Sequence, residues 1–211
     1  MRRSLLVVLF AVLVSIPAAA KLPSHPESIK PLFAGEDAIC TTWSLDEKRG
    51  LWMTAAHCTV YVGDIEDENV QVTIPIENLM IDGKPVMAGM IDLANDLEVL
   101  QADVHAPALK LGSYPKVGDL VTVYGYPGGL QAPLPTWLFV SNPFLKLYGR
   151  DWMLLDGSVW PGHSGSPVLD RKGRVIAVAQ AHGTGRYSGM TYASSWSTLK
   201  AFISNALPTD S

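Results

Sequence analysis

Three short segments carry the side chains with which this chain could do covalent chemistry. In Thr54-Ala55-Ala56-His57-Cys58 a histidine sits just past a strand-like run, among small residues that leave its ring unobstructed. The second segment, Asn95-Asp96-Leu97-Glu98-Val99-Leu100, has a carboxylate near its head. The third, Pro161-Gly162-His163-Ser164-Gly165-Ser166-Pro167, sets a serine beside glycines that permit a tight turn with backbone N–H groups pointing one way. A serine hydroxyl alone is a weak nucleophile. It needs a base to take its proton, a carboxylate to hold that base in the right tautomer, and donors for the oxyanion that forms. His57, Asp96, Ser164 and the backbone around Ser164 supply all four parts. Taken singly, a histidine or a Gly-rich turn is more often structural; together the three segments make the parts of a nucleophilic serine site available in one chain.

The elements that must position these groups read as short strands. Of 211 residues, 48% are hydrophobic and 17% charged, which excludes disorder and leaves ample material for a core. With 18 Gly and 15 Pro, turns are frequent and long helical patterns are few. Strand-like runs occupy residues 70–74, 97–100, 120–124, 152–155 and 174–179, each bounded by Gly, Pro, Asn or Asp, which is all-β spacing. Cys40-Thr41-Thr42-Trp43 and Leu51-Trp52-Met53-Thr54 flank a turn at 46–50 and predict a hairpin that ends at His57. Residues 21–35, with three prolines, read as an extended leader or a strand laid over the surface. Residues 108–118 suit a junction between two halves of similar size. One helix is predicted over 197–206, where Leu199, Phe202, Ile203 and Leu207 recur at helical spacing behind Ser197 as cap. Trp43, Trp137, Trp152 and Trp196 are assigned to core packing.

The N-terminus sets the compartment. Arg2 and Arg3 precede an apolar stretch at residues 5–16, and Pro17-Ala18-Ala19-Ala20 closes it with small residues, the pattern of a signal peptide cleaved after Ala20. The alternative, a retained anchor, falls short of the roughly 20 apolar residues that span a bilayer. A secreted or periplasmic product without a stable membrane anchor is expected. The net charge is −4, and more negative without the two arginines, so no nucleic-acid partner is expected. Outside the cell the only two cysteines, Cys40 and Cys58, suggest one disulfide, contributing on the order of 3 kcal/mol; free thiols or a metal site are poorer readings.

The segments around His57 and Ser164 resemble the histidine and serine boxes of trypsin-like, chymotrypsin-fold serine peptidases, and the order His, Asp, Ser agrees with that family. Asp96-Leu97-Glu98-Val99-Leu100, Ala108-Leu109-Lys110-Leu111-Gly112, Val117-Gly118-Asp119 and Tyr124-Gly125-Tyr126-Pro127-Gly128-Gly129 are similar to bacterial HtrA/Deg-type peptidase domains, as are Gly173-Arg174-Val175-Ile176-Ala177-Val178 and Gly189-Met190-Thr191-Tyr192-Ala193. The similarity runs over about residues 39–203, and the chain then stops without room for the PDZ domain of HtrA proteins, so it offers no basis for HtrA-like trimers. The resemblance implies two six-stranded antiparallel β-barrels with a C-terminal helix: residues 21–110 carrying His57 and Asp96, and residues 111–211 carrying Ser164, together one peptidase domain. It implies Ser164 as nucleophile, His57 as general base and later acid, Asp96 as orienting carboxylate, and the N–H groups of Gly162 and Ser164 as oxyanion hole. It also implies a Cys40–Cys58 bridge, a protein or peptide substrate, and no cofactor or metal. Asp92 is a rival to Asp96; the register of Leu97, Val99 and Leu100 favours Asp96.

Departures from the family pattern carry further expectations. His163 stands where animal enzymes have Asp, and reads as a solvent-facing or locally hydrogen-bonded loop residue. Ser166 replaces a usual glycine. Glu98 replaces a small residue, and strand alternation points it away from the histidine. By the resemblance, the primary pocket has Ser158 at its floor and Gly189 opposite, narrowed by Val159 and Trp160, with no carboxylate for Lys or Arg, so a small, aliphatic or aromatic P1 side chain is expected. Ala179, Gln180 and Ala181 would pair with substrate as an added strand, with His182 at the rim, and Asp156 reads as a turn former. The competing function is a trypsin-fold binding protein with weak or no catalysis, and a third is an enzyme that cleaves only its own leader. An α/β-hydrolase elbow is disfavoured because Pro167-Val168-Leu169 leads into a strand.

Overall fold

The computed structural model describes residues 22–65, 70–184 and 188–207. In chain order the strands are β1 (Ile29–Ala34), β2 (Asp37–Asp46), β3 (Leu51–Thr54), β4 (Val60–Ile65), β5 (Val70–Pro75), β6 (Leu79–Ile81), β7 (Lys84–Asp92) and β8 (Leu97–Ala102), then β9 (Leu120–Gly125), β10 (Leu134–Leu147), β11 (Arg150–Asp156), β12 (Pro167–Leu169), β13 (Val175–His182) and β14 (Met190–Ser194), followed by helix α1 (Trp196–Ala206). They close into two six-stranded antiparallel barrels, β1-β2-β3-β8-β7-β6 and β10-β11-β14-β13-β12-β9, with β4 and β5 as a separate hairpin. The all-β, chymotrypsin-like architecture expected from the sequence is the one formed. The signal-peptide assignment, residues 1–20, lies outside the described residues.

Burial explains why these segments are strands and where the barrels meet. On β8, Leu97 and Val99 join a cluster with Leu109, Tyr124, Leu169, Val175, Val178 and α1, while Leu100 and Ala102 join Leu32, Trp52 and Ile81 inside the first barrel. One face of β8 therefore packs its own barrel and the other packs the seam between barrels, so the strand carries buried apolar residues on both faces. At about 25 cal/mol per Å², such two-sided burial makes the seam a large part of the driving force. Leu199, Phe202 and Ile203 bury the helix against the same cluster.

Three expectations need correction. Residues 29–34 are not laid over the surface: Ile29 and Leu32 are fully buried, and β1 pairs β2 and β6 to close the first barrel. The helix starts at Trp196, one residue earlier than expected, because Ser195 rather than Ser197 caps it, its hydroxyl accepting from the Thr198 N–H at 3.2 Å. Trp137 is 53% exposed, whereas Trp43 is fully buried. Trp137 lies on β10, a 14-residue strand that the sequence hides behind Pro135 and Pro143; the pairing with β11 is irregular between Asn142 and Leu145, where Pro143 costs no ladder bond.

Candidate active site

His57 sits in a short 3-10 turn, Ala56–Cys58, that follows β3 directly. The Cys40–Cys58 disulfide ties this turn to β2. Asp96 heads β8 in the left-handed region, φ 56°, and from there both its oxygens reach the turn: Oδ1 accepts the His57 backbone N–H and Oδ2 pairs with His57 Nδ1, each at 2.8 Å. The two contacts fix the ring's orientation and place the Nδ1 proton on the Asp96 side, leaving Nε2 as the free base. The Asp96 side chain is 11% exposed and that of His57 45%, an asymmetry that suits an orienting acid behind an accessible base.

The rival carboxylate is engaged elsewhere. Asp92 Oδ1 accepts the Asn95 N–H at 3.0 Å and Oδ2 accepts Asn95 Nδ2 at 2.7 Å, so this side chain closes the β7–β8 turn. Gln180, expected to pair with substrate, has a role the sequence did not suggest. Its Nε2 donates to the Asn95 and Asp96 carbonyls at 2.7 and 2.8 Å, clamping the Asp96 backbone from the opposite barrel. No spacing signal links residues 84 positions apart; only barrel docking brings them together.

Ser164 lies in a loop strung between the barrels. Its carbonyl accepts the Thr41 N–H at 2.8 Å, the Gly162 carbonyl accepts Thr41 Oγ1 at 2.8 Å, and the Pro161 carbonyl accepts the Gly128 N–H at 2.7 Å. Thr41 Oγ1 in turn accepts the Tyr126 N–H at 3.0 Å, so this hydroxyl is used as donor and acceptor at once. Thr41 is a supporting residue that the sequence does not distinguish from its neighbour Thr42. Two glycines are required here by space as well as by φ. A Cβ on Gly162, φ 94°, would lie 2.3 Å from the Tyr126 carbonyl oxygen, and one on Gly165, φ 82°, would lie 2.2 Å from that of Thr41.

The loop leaves two donors free. With the Pro161 carbonyl held by Gly128 and the His163 carbonyl held by the Ser166 N–H at 2.9 Å, the Gly162 and Ser164 N–H groups point the opposite way across their trans peptides and meet no acceptor among the described residues. Such a pair of unpaired donors beside a serine suits an oxyanion. Ser164 Oγ itself donates to the Gln180 carbonyl at 3.3 Å and makes no hydrogen bond to His57.

His163 is locally hydrogen-bonded but not solvent-facing. It is 1% exposed, its Nδ1 lies 3.3 Å from both N and O of Trp160, and its Nε2 lies 3.4 Å from Thr136 Oγ1. Burial pushes its pKa down, against the backbone contact at Trp160, so the ring is held neutral under the loop. Ser166 is fully buried, and among the described residues its hydroxyl has no partner.

A cleft of about 310 Å³ opens beside Ser164, lined by Val159, Trp160, Pro161, Gln180, Ala181, His182 and Thr184. Among the described residues no acidic side chain is among its walls. Ser158 and Gly189 are exposed and lie outside this lining, where the Gly189 carbonyl accepts the Gly157 N–H at 2.7 Å; Ala179 is fully buried, its carbonyl accepting the Gly165 N–H at 2.8 Å. Asp156 is exposed at the end of β11 rather than in a turn. Cys40, His57 and Cys58 bring potential ligand atoms within 4.8 Å of one another, but the two sulfurs are bonded to each other and offer no thiolate to a metal.

Comparison with known proteins matches residues 40–178 to the family model for the trypsin-like peptidase domain. This chain belongs to the trypsin-like peptidase family. A probable periplasmic serine endoprotease, DegP-like, of Chlamydia trachomatis is 29% identical over 182 residues, 82% of this chain and 34% of the relative. The corresponding protein of Chlamydia muridarum is 30% identical over the same shares. The chain thus spans about a third of the length of these curated relatives. Among solved structures, the Rv3671c protein of Mycobacterium tuberculosis in an inactive form aligns with a TM-score of 0.64 at 18% identity, over 89% of this chain and 90% of that one. An HtrA-type protease, AlgW, solved with a tripeptide, aligns with the same TM-score and identity over 88% of this chain and 62% of the other. The relatives and structural neighbours it resembles include DegP-like and HtrA-type serine proteases.

Proposed function

We propose that this chain is an exported serine endopeptidase working through an acyl-enzyme on Ser164. The observation that carries the reading is the pairing of His57, held through two contacts by Asp96, with the unpaired N–H groups of Gly162 and Ser164 on the facing loop. In the first step Ser164 Oγ turns from the Gln180 carbonyl toward His57 Nε2, which takes its proton as Oγ attacks the scissile carbonyl. The developing oxyanion is stabilised by Gly162 and Ser164 N–H, each such donor contributing roughly 3 kcal/mol to the transition state. His57 then gives its proton to the leaving amine, and water, activated by the same base, releases the acid product. Asp96 stabilises the imidazolium that forms.

The apolar cleft beside Ser164 supports a small or hydrophobic P1 side chain, because a guanidinium or ammonium buried there would find no carboxylate. The free edge of β13 at Ala181 and His182, beyond its pairing with β12, supports an extended substrate added as a strand. Export rests on the N-terminal signal pattern and on the periplasmic assignment of the Chlamydia relatives. Among the described residues no helix is long and apolar enough to cross a membrane.

A binding protein without turnover is the second reading, favoured by one feature, the Ser164 hydroxyl bonded to Gln180 rather than to His57. A fluorophosphonate probe separates the two. The mature protein is expected to form one adduct, mapped to Ser164 and absent in Ser164→Ala; folded, disulfide-bonded protein that forms no adduct refutes the peptidase.

A further inference from the structure

Glu98 is an acid that the catalytic groups leave unused, yet it is 1% exposed. It follows Asp96 by two residues and, with Leu100, lines a groove of about 610 Å³ beside the β4–β5 hairpin. Its Oε2 contacts Thr59 Oγ1, and the same hydroxyl lies 3.0 Å from the Ala56 carbonyl oxygen. Ala56 opens the 3-10 turn that carries His57, and Thr59 closes it through its N–H, also on the Ala56 carbonyl at 3.0 Å. Thr59 is further tied to the hairpin side, its carbonyl accepting the Ile76 N–H at 2.7 Å.

Proton counting decides how this chain of oxygens works. A threonine hydroxyl has one proton, and a carbonyl can only accept. If Thr59 Oγ1 donates to Ala56, the contact with Glu98 must be supplied by a proton on the carboxyl. If Glu98 is ionised, it competes for the single Thr59 proton, and as a charged acceptor it wins over a neutral carbonyl. We propose that Glu98 is a positioning residue for the catalytic turn: protonated, it donates to Thr59 Oγ1 and lets Thr59 hold the Ala56 carbonyl, and ionised, it draws the Thr59 hydroxyl away and loosens the turn beneath His57. The proposal rests on His57 being the catalytic base, and it names two residues, Glu98 and Thr59, that govern the reaction without touching substrate.

The surroundings put this switch in the neutral range. Burial, outweighing the contact with Thr59, raises the Glu98 carboxyl from 4.5 to about 7. The elements packed against it add little charge among the described residues. Opposite it, β3 presents Thr54 and β7 presents Ile91. The catalytic turn presents His57, which is engaged with Asp96. Among the described residues the groove adds one titratable group, the exposed Glu77, and no lysine or arginine.

The test compares the wild type with Glu98→Gln, whose amide N–H₂ donates to Thr59 at every pH, and with Thr59→Val and Thr59→Ser. The rate of fluorophosphonate labelling is expected to fall about five-fold in the wild type above pH 7, the worth of one neutral hydrogen bond. Glu98→Gln is expected to show no such decline, Thr59→Val to be about five-fold slower than the wild type below pH 7 and equal to it above, with no decline of its own, and Thr59→Ser to restore wild-type behaviour. A second readout needs no activity. The ¹³C resonance of the Ala56 carbonyl is expected to titrate with a midpoint near 7 in Ser164→Ala, a component lost in Ser164→Ala/Glu98→Gln. An alkaline decline retained in Glu98→Gln, or an identical pH course of the Ala56 carbonyl in both proteins, overturns the proposal. Should the probe label nothing, the peptidase reading fails while the resonance still decides the role of Glu98.

Discussion

Glu98→Gln is expected to make the protein more stable at pH 8 than the wild type, and the size follows from burial. In the unfolded chain this carboxyl titrates at its ordinary value of 4.5, and in the folded chain at about 7. Because the folded value is raised, the stabilisation is fully present below pH 4.5 and is lost as pH rises toward 7, after which it is flat. At 1.36 kcal/mol per pH unit the loss amounts to about 3 kcal/mol, a large fraction of the roughly 5–15 kcal/mol that holds a domain folded. Gln has nearly the same shape, carries no charge to desolvate, and keeps a donor for Thr59, so it escapes the loss. Urea unfolding of both proteins with the disulfide intact, at pH 4.5, 6, 7 and 8, measures the difference directly. The gap between them is expected to open by about 3 kcal/mol from pH 4.5 to 7 and then hold steady. A gap that stays within about 1 kcal/mol across that range would show Glu98 ionised in the fold and refute the reasoning.

Asp96→Asn is expected to lower kcat by roughly 10⁴-fold with little change in KM, through loss of the imidazole tautomer, whereas Asp92→Asn keeps wild-type turnover and loses only turn stability; steady-state kinetics on a peptide ester distinguish them. Gly165→Ala sets a Cβ 2.2 Å from the Thr41 carbonyl oxygen at a positive φ, and is expected to cost about 3 kcal/mol or more in denaturant unfolding, with probe labelling lost alongside. Cys40→Ser/Cys58→Ser opens a loop of 18 residues and is expected to cost about 3 kcal/mol, and the wild type under reductant should match it.

Much of the site was legible because its parts are local in the chain. The histidine turn, the glycines about Ser164 and the head of β8 are each short motifs whose residue types already state the backbone they need. The choice between Asp92 and Asp96 was open in the composition of the segment and closed by geometry, since only Asp96, at φ 56°, turns both oxygens to the turn at His57. Strands with clean alternation or continuous apolar runs were also readable, whereas β1 and β10 were obscured by prolines that barrel closure and an irregular pairing accommodate.

Sequence alone therefore determined the family resemblance, the all-β class and the disulfide partners, because period-two burial, glycine at positive φ and a lone cysteine pair are properties of neighbours along the chain. Tertiary structure alone decided that Gln180 clamps Asp96 from the far barrel, that Thr41 holds the serine loop, that His163 is buried neutral and that Glu98 sits within reach of Thr59. Each of these depends on a distance or a dielectric set by the docking of one barrel or hairpin on another, which hydrophobic burial at the seam drives without regard to separation in sequence.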